Sequence, residues 1–114
     1  MKKFIKVMKA LSDPNRVKMV KLLQHKEMCV CESQAALGLA QSTVSKHLKI
    51  LEEAGLTTYY KDKLWVNYSL ADGTDSPYAA NLLGSLKHWL DDDPGLADIV
   101  DKLPTIRRED ICGS

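Results

Sequence analysis

Cys29 and Cys31, separated only by Val30, place two thiols in one short segment, and a third, Cys112, lies near the C-terminal end. Thiolates are soft donors, so neighbouring cysteines suit a thiophilic centre such as trivalent arsenic or antimony better than imidazole or carboxylate would. Cys-x-Cys is not the Cys-x-x-Cys spacing that structural zinc prefers, which makes zinc the second choice. Spacing alone equally allows a pair of small buried hydrophobes, because free cysteine is often buried. Three is an odd number, and the start, Met1-Lys2-Lys3-Phe4-Ile5-Lys6, returns to lysine before a secretory apolar stretch forms. Reduced thiols are therefore expected rather than a disulfide framework. A Cys29–Cys31 bridge would close a very small, strained ring, whereas either residue could join Cys112 on oxidation.

A second group of residues suits a polyanion. In Gln41-Ser42-Thr43-Val44-Ser45-Lys46-His47-Leu48-Lys49, helical spacing turns Val44 and Leu48 inward. Gln41, Ser42, Thr43, Ser45 and Lys46 then offer hydrogen bonds outward, with His47 and Lys49 placed to approach a phosphate backbone. The charge distribution agrees: residues 1–70 carry a formal +6 and residues 71–114 a formal −5, within a total of +1. The basic part can face nucleic acid.

The elements that must position these groups are readable from periodicity. An apolar stripe of Phe4, Ile5, Met8 and Leu11 predicts a first helix over 3–11, and Asp13 as N-cap with Pro14 at the first position starts a second over 14–25. Cys29-Val30-Cys31 reads as an extended turn, followed by a third helix over 32–37 ended by Gly38. A fourth helix opens at Gln41-Ser42, with Ser42 as its expected N-cap, and stops at Gly55. Helix, glycine turn, helix outlines a helix-turn-helix. From Thr57 the period becomes two, with Leu64, Val66, Tyr68 and Leu70 alternating with Trp65, Asn67 and Ser69, which predicts a two-stranded hairpin tipped by Lys61-Asp62-Lys63. There Lys61 and Lys63 can reach the minor-groove edge. Tyr78, Leu82, Leu86, Trp89 and Leu90 mark a fifth helix, halted by Asp91-Asp92-Asp93-Pro94-Gly95, and a last amphipathic piece covers 96–103.

At 114 residues, 45% apolar and 27% charged, the composition is that of one small globular domain. Residues 1–103 are expected to form it, with 104–114 a flexible tail carrying Cys112. The core is thin at this size, and Phe4, Ile5 and Met8 with Leu82, Leu86 and Trp89 make more apolar face than it can cover. A homodimer through the first and fifth helices is expected, and with it a palindromic double-stranded operator whose half-sites lie about one DNA turn apart. No apolar run approaches the roughly 20 residues that span a bilayer, so a cytoplasmic protein without a membrane partner is expected. Nothing supplies a nucleophile with an oriented base or a glycine loop for phosphate, which argues against an enzyme. No organic cofactor is expected.

Ala10-Leu11-Ser12-Asp13-Pro14-Asn15-Arg16, Cys29-Val30-Cys31-Glu32, Gln41 to Leu48 and Leu51-Glu52-Glu53-Ala54-Gly55-Leu56 together resemble the ArsR/SmtB family of metal-responsive repressors. The resemblance covers about residues 4–90. It implies a mainly α, α+β fold: a winged helix-turn-helix, homodimeric, that represses a promoter until a soft metal or metalloid binds. The arsenic sensors of that family have a further cysteine three residues after the Cys-Val-Cys, where this chain has Gln34, which leaves Cys112 as the remaining candidate third ligand. Arsenite or a related trivalent arsenic or antimony species is the implied inducer. A thiol redox or persulfide sensor on the same fold, or a cadmium- or zinc-responsive repressor, is the alternative.

Overall fold

The computed structural model describes residues 1–107. Helices α1 (Lys2–Ala10) and α2 (Pro14–Leu23) lead to a two-residue strand β1 (Met28–Cys29), and α3 (Val30–Leu37) and α4 (Gln41–Glu53) follow. Strands β2 (Thr57–Asp62) and β3 (Trp65–Leu70) form the hairpin, and α5 (Pro77–Leu86), α6 (Pro94–Lys102) and a 3-10 turn (Leu103–Thr105) complete it. This is a winged helix-turn-helix.

Local chemistry explains the boundaries. Asp13 caps α2 as expected: its carboxylate accepts from the backbone N–H groups of Asn15 at 2.8 Å and Arg16 at 3.3 Å. Gly38 ends α3 at φ +67°, and its N–H donates to the Gln34 carbonyl at 2.8 Å. Its left-handed backbone turns the chain into α4 after two residues. Ser42 is not the N-cap. Ala40 holds that position, its carbonyl accepting from Val44 N–H at 3.0 Å, so Ser42 lies inside the first turn and α4 starts without a side-chain cap.

The hairpin is joined by a third strand that periodicity did not reveal. The sheet order is β1-β3-β2, all antiparallel, with Met28 opposite Tyr68 and Cys29 opposite Asn67. Asp62 pairs with Trp65, which puts the turn at Lys63-Leu64, with Lys63 at φ 58°.

Two apolar clusters hold the elements together. Val7 and Ala10 of α1, Met19 and Val20 of α2, Val44, Leu48 and Leu51 of α4, and Leu83 and Leu86 of α5 form one. Leu22, Leu23 and Met28 meet Leu96 and Leu103 in the other, with Ile106 packed against it, so α6 and the following turn cover the β1 side of α2. The fifth helix stops at Leu86, short of its apolar pattern. Trp89 and Leu90 lie beyond its end, and Leu86, expected on a dimer face, is 5% exposed and belongs to the protomer's own core.

Candidate nucleic-acid interface and thiol site

In α4 the inward residues Val44, Leu48 and Leu51 are fully buried. Gln41, Ser42, Ser45, Lys46 and Lys49 are exposed, while Thr43 and His47 are half-buried. The outer face is thus a continuous row of hydrogen-bond donors and cations. No side-chain cap hydrogen bond closes the first turn of α4 among the described residues. Lys61 and Lys63 are exposed on the wing, beside the protruding Leu64.

His47 is held from behind. Arg16 Nη1 lies 3.1 Å from His47 Nδ1, while Arg16 Nε donates to the Ala10 carbonyl at 2.7 Å and Nη2 to the Lys9 carbonyl at 3.2 Å. Asp13 sits in the same cluster. Burial pushes its carboxyl up, but the backbone N–H groups of Arg16 and Asn15, helped by the neighbouring His47 and Arg16 side chains, outweigh that and leave it below its ordinary value. Sequence reasoning missed Arg16, because a contact between residues 31 positions apart has no local signature.

The thiols lie at the junction of sheet and helix. Cys29 is the last residue of β1 and the N-cap of α3, and it is 2% exposed. It forms a reciprocal capping box with Glu32: the Cys29 sulfur faces the Glu32 backbone N–H, and Glu32 Oε1 accepts from Cys29 N–H at 3.0 Å. Cys31, one position into the helix, is half-buried and lines a shallow depression with Gln34, Ala35, Gly38 and Leu39. Glu32 is buried and its other oxygen meets Lys26 Nζ at 3.3 Å. Lys26 in turn donates to the Ile106 carbonyl at 2.6 Å, so the chain that leads toward Cys112 leaves from beside the α3 N-terminus. Cys112 itself lies outside the described residues.

Among the described residues no three His, Cys, Asp or Glu side chains converge as a metal site. Thiols are soft donors, a chemistry that a thiophilic centre matches better than zinc does. The cap that Glu32 makes with Cys29 was not foreseen, although the two stand at capping-box spacing, a signal the sequence did carry.

Helix α1 leaves Phe4 41%, Ile5 39% and Met8 37% exposed. Phe4 packs edge-on against Tyr78 of α5, ring centroids 5.5 Å apart, and Tyr78 is itself exposed. Leu82 is half-buried and Trp89 exposed. No helix among the described residues is long and apolar enough to cross a membrane.

Known proteins resemble this chain in sequence and in fold. The family model described as bacterial regulatory protein, arsR family, matches residues 13–59, from the cap of α2 through α4 into β2. A transcriptional repressor SmtB homolog of Synechocystis is 41% identical over 63 residues, 55% of this chain and 48% of that protein, so the chain spans about half the length of that relative. The arsenic resistance transcriptional regulator ArsR1 of Pseudomonas putida is 36% identical over 91 residues, 76% of this chain and 71% of that one. Among solved structures, HlyU from Vibrio cholerae superposes with a TM-score of 0.65 at 27% identity, covering 77% of this chain and 91% of its own. The relatives are regulators by name, not enzymes. By sequence and by fold, the chain belongs to the arsR family of bacterial regulatory proteins.

Proposed function

We propose that the protein is a homodimeric transcriptional repressor that binds a palindromic operator through α4 and the wing and releases it when trivalent arsenic or antimony binds Cys29 and Cys31. One observation carries the reading: Cys29 belongs at once to the first turn of α3 and to the wing sheet, opposite Asn67. A ligand that draws the Cys29 and Cys31 sulfurs together therefore acts on both DNA-facing elements. It pulls the cap sulfur from the Glu32 N–H, loosening the helix that supports α4, and it shifts β1 against β3.

The inducer chemistry is ligand exchange. Each thiol that bonds to arsenic in As(OH)3 replaces one hydroxide, and the thiol proton leaves with it as water. Cys29 and Cys31 supply two such bonds, and Cys112 is the proposed third donor for inorganic arsenite. Linkage requires the ion to bind free protein more tightly than operator-bound protein, a coupling of typically ~1–3 kcal/mol. The name of the P. putida relative supports arsenic as the ion.

The test is a titration of reduced protein on its own upstream promoter fragment with arsenite, cadmium, zinc or a persulfide, followed by fluorescence anisotropy. Release by arsenite is expected, together with a weaker arsenite affinity in the presence of operator. An arsenite affinity that operator does not change rejects the mechanism. A second reading, a thiol sensor that responds to oxidant or persulfide, draws on the partly accessible Cys31 and on the two-thiol donor set; release by persulfide alone selects it.

A further inference from the structure

Arg16 makes contacts in three directions. Its Nε and Nη2 donate to the carbonyls of Ala10 and Lys9, at the C-terminal end of α1, and its Nη1 meets Nδ1 of His47 on α4. A guanidinium has five N–H donors, no acceptor, and never loses its charge in a protein. Nδ1 of His47, 3.1 Å away, must therefore accept. The imidazole then carries its single proton on Nε2, and Nε2 has no hydrogen-bond partner among the described residues. Asp13, the other charged group of the cluster, accepts from the α2 backbone through Oδ1 and acts on the ring through its charge, with no hydrogen bond to it among the described residues. A proton on Nδ1 would set two donors against each other across one contact.

We infer that Arg16 is a positioning residue for DNA binding: it braces α4 against the end of α1 and fixes His47 as the Nε2–H tautomer, leaving that N–H as a donor for a DNA phosphate. The inference rests on the proposed operator binding. It goes further in assigning a ring nitrogen, a tautomer and the residue that sets it. The brace also ties the recognition helix to α1, the helix with the uncovered apolar face, so in a dimer it sets how each α4 is held relative to its partner.

The experiment uses the full, reduced chain with 15N-labelled histidine. Long-range 1H–15N correlation of the free protein at a pH where His47 is neutral is expected to show the Nε2–H tautomer alone. In Arg16→Met the ring is expected to become a mixture of both tautomers, and affinity for the promoter fragment to fall about tenfold, the scale of one hydrogen bond to a charged group. Arg16→Lys keeps the charge but gathers its donors on one nitrogen, where Arg16 spreads them over three, and it is expected to fall between the two in both readouts. Circular dichroism identifies a variant that fails to fold, and the wild-type spectrum decides the tautomer without any variant. An Nδ1–H tautomer in the wild type, or an Arg16→Met protein with unchanged tautomer and unchanged DNA affinity, overturns the inference. The tautomer is read without DNA, so wild-type protein that binds no promoter fragment rejects the operator-binding reading separately.

Discussion

Cys29 stands directly opposite Asn67 across the β1–β3 ladder, and Asn67 stands opposite Tyr60 on β2. One row of the sheet thus runs from the buried thiol to the outer strand of the wing. Tyr60 returns the connection, its hydroxyl donating to Glu27 at 2.5 Å in the segment just before β1. The strand that carries the thiol is thus joined to the wing by backbone pairing rather than by a loop.

Cys29→Ser and Cys31→Ser are expected to separate sensing from DNA binding. Serine is close in size to cysteine and is a good N-cap, so Cys29→Ser keeps the start of α3 while losing the soft donor. Both variants should bind the promoter fragment as the wild type does and should not release it with arsenite. Cys112→Ser tests the third donor: arsenite release lost in that variant indicates three thiols, and release retained makes Cys29 and Cys31 sufficient. Arsenite release in Cys29→Ser or Cys31→Ser would place the site elsewhere.

Lys46→Ala, Lys49→Ala and the double Lys61→Ala, Lys63→Ala variant should each weaken DNA binding without affecting the fold, since all four side chains are exposed. Each phosphate contact removed should flatten the slope of log K against log salt by about 0.9. Affinity measured at several salt concentrations checks this. An unchanged slope for the wing pair would confine DNA contact to α4.

Lys21 is buried, and its Nζ donates to the Leu86 carbonyl at 2.7 Å and to Asp91 at 2.8 Å. It thereby caps the end of α5 and accounts for the helix stopping there while the apolar pattern continues to Leu90. Lys21→Met leaves the Leu86 carbonyl without its donor and should cost ~1–3 kcal/mol in urea unfolding. The hydrogen bond and charge of Lys21 hold the Asp91 carboxyl below its ordinary value of 3.8. Because the folded value is the lower one, this contribution is complete above the unfolded value and is lost as pH falls through the folded one. Asp91→Asn should therefore match the wild type more closely as pH falls below 3.8 than it does at pH 6. An equal gap in urea midpoint at both pH values would reject the ion pair.

What could be read from the sequence is what is local. Asp13-Pro14 and Gly38 each act within a few residues and appear where expected, whereas the hairpin forms without its expected alternation: the turn falls at Lys63-Leu64, Leu64 is exposed there, and Asn67 is the buried residue of β3. Ser42 misled because its type suits a cap, but the short turn after Gly38 puts Ala40 there first. Strand β1 was hidden because two residues have no period and its pairing is with residues nearly forty positions later. The Arg16–His47 and Lys21–Leu86 contacts are of the same kind, fixed by tertiary packing rather than by spacing.

Gly38 and Gly73 separate two costs of replacing a glycine. Both have positive φ, +67° and +84°, so alanine is strained at either. A Cβ at Gly38 meets nothing within 4 Å, whereas at Gly73 it would lie 2.6 Å from the Cβ of Ala80. Gly38→Ala should cost ~1 kcal/mol, the backbone term alone. Gly73→Ala should cost more, because the start of α5 must also move. Thermal unfolding of the two variants side by side checks the order, and a Gly38→Ala protein at least as destabilised as Gly73→Ala would contradict it.

Met8 offers the sharpest test of the dimer. With Phe4 and Ile5 it forms the exposed side of α1, while Val7 and Ala10 on the other side fill the protomer's core. A charge at position 8 therefore leaves the core intact but must be desolvated, unpaired, if that face is covered by a second copy. Met8→Glu should sediment as a monomer at concentrations where the wild type is a dimer, and its Tm should lose the dependence on protein concentration that association confers. A monomer engages one half-site at a time, so promoter affinity should fall by far more than the tenfold expected from losing a single contact. Met8→Glu protein that remains a dimer and binds promoter DNA normally would show that the two protomers meet through another face.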